Sequence, residues 1–185
     1  AAAPVSGYPS SSGGAAETEI TWRKTQLDDL FRSEGAGVAD FDNDGDIDIV
    51  AGSQWYEQNS DAVTGNANGV PPRWETHVLT EEPHEFDPAG YGDTFMNFPH
   101  DVNADGLVDV IIVDFPGQPT WWFENPGDDE SVWPRHEITP VTNNESPQFV
   151  DVTGDGEREL ICAWDGGFFG YVRPQSHPEA KWITN

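Results

Sequence analysis

Asp40-Phe41-Asp42-Asn43-Asp44-Gly45-Asp46-Ile47-Asp48 returns as Asp101-Val102-Asn103-Ala104-Asp105-Gly106-Leu107-Val108-Asp109. It returns again as Asp151-Val152-Thr153-Gly154-Asp155-Gly156-Glu157-Arg158-Glu159. Each copy sets oxygen-bearing side chains at positions 1, 3, 5 and 9 around a glycine at position 6. Calcium, a hard cation that takes about six to eight oxygens, asks for this pattern: a curled loop aims residues 1, 3 and 5 inward together. Glycine at 6 permits the sharp turn, the carbonyl at 7 (Asp46, Leu107, Glu157) faces the ion, and the carboxylate at 9 closes the shell. Magnesium demands a stricter octahedron and gives up its waters less readily. Asp, Asn and Gly are also ordinary turn residues, but three copies in register favour three calcium sites. Ligand charge ranks them, with loop one, which offers four aspartates, binding tightest.

The flanks separate these loops from helix-bracketed ones. Each is followed by a short apolar run, Ile49-Val50-Ala51, Val110-Ile111-Ile112-Val113 or Leu160-Ile161-Cys162-Ala163, and preceded by Val38, Phe98 or Phe149. Runs of this length and branching read as buried strands, so each loop joins two strands. The repeat extends further. A tryptophan opens each unit at Trp22, Trp74 and Trp133, and an aromatic strand closes it at Trp55-Tyr56-Glu57, Trp122-Phe123-Glu124 and Phe169-Gly170-Tyr171. Several short strands in units of about 50 residues predict an all-β fold of propeller-type blades. The units are about 20–70, 71–130 and 131–180, with the start of a fourth at 181–185 and a Pro/Ser/Gly/Ala-rich segment over 1–19.

On these loops and closing strands, residues 20–175 resemble the FG-GAP or VCBS repeats of calcium-binding β-propellers, found in integrin α-subunit heads and in many secreted bacterial proteins. The resemblance implies metal ligation by Asp40, Asp42, Asp44 and Asp48, by Asp101, Asn103, Asp105 and Asp109, and by Asp151, Thr153, Asp155 and Glu159. It also implies an extracellular or cell-surface setting. A propeller of this family usually has seven blades. Three blades leave open faces and strand edges, so either the chain is part of a longer propeller or copies complete one another as an oligomer or filament. Contacts between copies are expected at residues 1–19 or 181–185.

Composition is consistent with this. Eight basic against 34 acidic residues give a formal charge of −26, which argues against nucleic acid and anionic membranes and for cations. No apolar run approaches a membrane span. Cys162, the only cysteine, aligns with Ala51 and Ile112 and reads as a packing thiol. His77 and His136 match each other in successive units and read as structural, whereas His100 is either strand filler or an outer support for Asp101. Two insertions, near residues 81–93 and 59–69, are the places where binding loops or tolerated surface loops fall.

No phosphate loop, nucleophile elbow, zinc motif or catalytic triad is present. Enzymatic activity would have to come from the polar group Arg32, Ser33, Glu34, Asn97, Asn144 and Glu145, with Glu34 and Glu145 as a carboxylate pair. The leading reading is an extracellular calcium-binding structural protein that self-assembles. The alternative is the first part of a carbohydrate-active propeller, a lectin or a sugar lyase or dehydratase, with a glycan as its partner.

Overall fold

The computed structural model describes residues 22–59, 73–81, 92, 94–128, 132–164, 166–173 and 183–184. The segment 1–19 and most of both insertions lie outside the described residues. Among those described there are twelve strands and no helix. They are β1 Gly37–Ala39, β2 Asp48–Ala51, β3 Gln54–Asn59, β4 Arg73–Val78, β5 Thr94–His100, β6 Asp109–Asp114, β7 Gln118–Phe123, β8 Arg135–Thr142, β9 Gln148–Val150, β10 Glu159–Trp164, β11 Phe168–Arg173 and β12 Ile183–Thr184. Three antiparallel sheets take them four at a time in chain order: β1 to β4, β5 to β8, and β9 to β12. Each acidic loop joins the first strand of its sheet to the second, as the flanking apolar runs require.

The sheets stack face on face. Side chains alternate across a strand, and in β6 Val110 and Ile112 join one core cluster while Ile111 and Val113 join another. The first cluster gathers Val50, Trp55 and Leu79 from the first sheet with Val110, Ile112, Phe123 and Trp133 from the second. The second gathers Ile111, Val113, Trp122 and Ile138 with Phe149, Leu160, Cys162 and Val172 from the third. A strand buried on both faces has no polar side to show, which is why β6 reads as an unbroken apolar run. The innermost strands β1 and β5 also meet. A Cβ at Gly37 would stand 2.5 Å from Pro99 Cδ and 3.0 Å from the Asn97 carbonyl oxygen, so glycine sets how closely the first two sheets approach.

Two expectations change once the register is known. The strand at Trp74 and the one after Trp133 are each the outer strand of a sheet already begun. Trp74 lies in β4, Trp133 precedes β8, and Ile183 and Thr184 pair with Arg173 and Val172. Residues 183–184 therefore complete the third sheet, where a free opening strand was expected. The closing strand of the third unit is also displaced by two residues. Val50 faces Trp55 and Ile111 faces Trp122 across their hairpins, and in the third sheet it is Tyr171, not Phe169, that faces Ile161.

Cys162 is fully buried at the second interface, and burial pushes its thiol up to about 11. It packs and does not react.

Candidate metal centre

The three loops share one backbone conformation. Position 6 has φ of 96°, 92° and 98° at Gly45, Gly106 and Gly156, values that favour glycine. Position 4 is also left-handed, at 62° for Asn43, 60° for Ala104 and 78° for Gly154. Position 1 accepts the amide of position 6 each time: Gly45 donates to Asp40 Oδ2 (3.0 Å), Gly106 to Asp101 Oδ2 (3.0 Å) and Gly156 to Asp151 Oδ2 (2.9 Å). Position 5 accepts from position 7, with Asp46, Leu107 and Glu157 donating to Asp44, Asp105 and Asp155.

Position 9 does the most for the fold. Asp48, Asp109 and Glu159 are all 0% exposed. Each accepts the amide of position 2, from Phe41, Val102 and Val152 respectively, at 2.9 Å. Asp48 and Asp109 use their second oxygen to accept an amide from beyond the third strand's aromatic pair, Gln58 at 2.9 Å and Asn125 at 2.8 Å. Asn125, which is 4% exposed, also donates to the carbonyl of Phe41 at 2.8 Å, so it ties loop two to loop one.

Burial, with the like charges of Asp44, Asp48 and Glu57, pushes Asp42 up to about 6. Burial raises Asp48 and takes Asp109 to about 6. Ligand oxygens of Asp40, Asp42 and Asp48 lie within 4.8 Å of one another. Asp40 Oδ1 is buried with no hydrogen-bond partner, an acceptor left over after the loop's own amides are satisfied. An all-oxygen set of this charge and spacing fits a hard divalent cation, and the number of carboxylates fits calcium.

Loops two and three are chemically different. Asn103 turns its amide nitrogen to Asp105 Oδ2 (3.0 Å) and Glu124 Oε1 (3.1 Å). In loop three Thr153 donates to Glu159 Oε1 (3.2 Å), and Arg173 Nη1 approaches Asp155 Oδ2 at 3.6 Å.

The geometry also adds Glu57 and Glu124. His77 Nε2 pairs with Glu57 Oε2 at 2.7 Å while its ring stacks on Trp55 (4.3 Å between centroids). His136 Nε2 pairs with Glu124 Oε2 at 2.9 Å and stacks on Trp122 (4.4 Å). Both histidines are structural, as their matching places implied. The signal for the glutamates was present in the recurring Trp-aromatic-Glu triplet. His100 packs edge-on against Phe149 of the next sheet (5.2 Å).

Residues 101–162 match the FG-GAP-like repeat family. The match runs from the first aspartate of loop two to Cys162, one full period including loop three. No curated protein and no solved structure matches the chain. The three antiparallel sheets and the absence of helices among the described residues accord with an FG-GAP-type repeat fold.

Of the six polar residues suggested as a catalytic funnel, Arg32, Ser33, Asn97 and Asn144 are hydrogen-bonded into the framework. Arg32 Nε and the Tyr56 hydroxyl both donate to Asp28 Oδ2 at 2.8 Å, with Asp28 held well below the usual carboxylate range by those bonds against the opposing effect of burial. Ser33 donates to the Thr94 carbonyl and to Asn97 Oδ1. Asn97 exchanges hydrogen bonds with Gly52 N (3.1 Å) and O (2.9 Å), and Asn144 Oδ1 accepts from Ala163 N (2.8 Å). Glu34 and Glu145 are exposed, each on a different sheet's entry.

Replacing Asp109 by alanine leaves the part-buried amide of Val102 and the buried amide of Asn125 without an acceptor, at about 1–3 kcal/mol each. In chelator, where no ion contributes, urea unfolding of Asp109→Ala is expected to fall by about 2–5 kcal/mol, and that of the exposed Asp105→Ala by less than about 1 kcal/mol. Equal losses would contradict the tie assigned to position 9.

Proposed function

We propose that this chain is a calcium-stabilised repeat scaffold of extracellular or cell-surface type, built of propeller-like blades and acting structurally. Loop one carries the reading: three carboxylates converge there, one with a buried oxygen that has no donor. Crowded carboxylates repel one another, and a bound cation turns that repulsion into attraction. The loop is coupled to packing through position 2. Phe41 is 2% exposed and lies edge-on to Trp55 (5.7 Å) and Trp133 (6.0 Å), so fixing the loop fixes the contact between the first two sheets.

Calcium at about a hundred times its dissociation constant adds about 2.7 kcal/mol per site. For a chain of this size that corresponds to about 5–10 °C in Tm. Thermal unfolding in millimolar calcium is expected to exceed that in chelator by at least this amount, with magnesium giving a smaller shift. Identical melting in calcium and chelator would refute the reading.

Association between copies is part of the same proposal. The faces holding Val50 with Trp55, and Ile111 with Trp122, are covered by the following sheet. The corresponding face of the third sheet, with Ile161, Tyr171 and Phe169, has no such cover among the described residues, and Phe169 is 73% exposed. A second copy stacking there continues the existing interface. Sedimentation is expected to show concentration-dependent association that Phe169→Ser weakens; a monomer at all concentrations would remove self-assembly from the proposal.

A further inference from the structure

Strand register places three residues at one equivalent point. Tyr56 lies opposite Ile49, Phe123 opposite Val110 and Val172 opposite Leu160. The next residue in each case is Glu57, Glu124 and Arg173. Two are carboxylates and the third is a guanidinium.

All three stand over their loops. Glu124 Oε1 accepts from Asn103 at position 3 of loop two, and Glu57 holds the same register place beside loop one, where the next residue, Gln58, donates to Asp48 Oδ1 at 2.9 Å. Both glutamates are oriented by a histidine stacked on tryptophan. Arg173 instead reaches Asp155 at position 5. The backbone is the same in the three loops, so what distinguishes them is charge. Loop three is also the most exposed, since residues 151–158 are all exposed whereas Asp40, Asp42, Asp101 and Asn103 are partly covered.

We propose that the loops are of two kinds. Loops one and two load calcium with the support of a further carboxylate, Glu57 or Glu124. Loop three is partly neutralised by Arg173 beside Asp155 and does not load at calcium concentrations that fill the other two. This rests on the calcium reading and deepens it, replacing three equivalent ions by two. A guanidinium stays protonated, has no lone pair to offer a metal and repels a divalent cation at close range. A carboxylate in its place attracts the ion or ligates it. Between the two lie two units of charge beside the site, which at partly exposed positions amounts to about tenfold or more in affinity.

Ion stoichiometry by calorimetry and native mass spectrometry, on the full chain at physiological ionic strength, tests this. Wild type is expected to take up two ions in the tight phase. Arg173→Glu is expected to take up a third, Arg173→Gln to strengthen the weak phase by less, and Glu124→Arg to drop to one, with circular dichroism in chelator unchanged for the variants of the partly exposed Arg173. Three ions of like affinity in wild type, or an Arg173→Glu variant that still binds two, would overturn the inference while leaving the calcium reading in place. Uptake of no calcium by any variant would overturn both.

Discussion

A buried carboxylate that accepts the amide of the residue seven places before it organises this molecule. Asp48, Asp109 and Glu159 each close their loop in this way, and each is inaccessible to water. The bond fixes the residue at position 2, whose side chain points out of the loop towards the stack. Phe41 fills the first interface, Val102 packs on the second, and Val152, with no further sheet described beyond it, is 52% exposed. Burying a charge is costly unless it is paired or well hydrogen-bonded. Here backbone amides supply part of that compensation, and the proposed cation would supply more in loops one and two.

The same constraint explains how one repeat makes a stack. Each loop turns the chain from the inner strand into a strand that is apolar on both faces, so each sheet needs a neighbour on either side. Histidine stacked on tryptophan and bonded to glutamate recurs on the two outer strands of the first two sheets, and in the second that glutamate, Glu124, also meets Asn103 of the loop. Loop chemistry and sheet packing therefore meet at the same residues. Twelve of the 34 acidic residues lie in the three loops, and the net charge of −26 keeps the surface solvated.

Much of this was legible in the sequence because it is local. The loop pattern spans nine residues, its glycine marks a left-handed backbone position, and the runs after it mark buried strands. The features that were not legible depend on register between distant segments. Aligning the third closing strand by its aromatics picked Phe169, but the hairpin from Trp164 to Phe168 is longer than that from Ala51 to Gln54, and the extra residues carry Phe168 and Phe169 to its exposed tip. Only the corrected alignment sets Arg173 level with Glu57 and Glu124. Likewise the sequence offers Ser33 and Asn97 only as members of a polar group and does not single out Asn125, whereas their partners lie on other sheets or loops, as far as 84 positions away for Asn125 and Phe41.

Amide hydrogen exchange at Gly45, Gly106 and Gly156 tests the central claim most directly, since each donates to the position-1 aspartate of its own loop. Measured in calcium and in chelator, exchange at Gly45 and Gly106 is expected to slow at least tenfold on adding calcium, with Gly156 changing little. Indifference of all three amides to calcium would contradict the account.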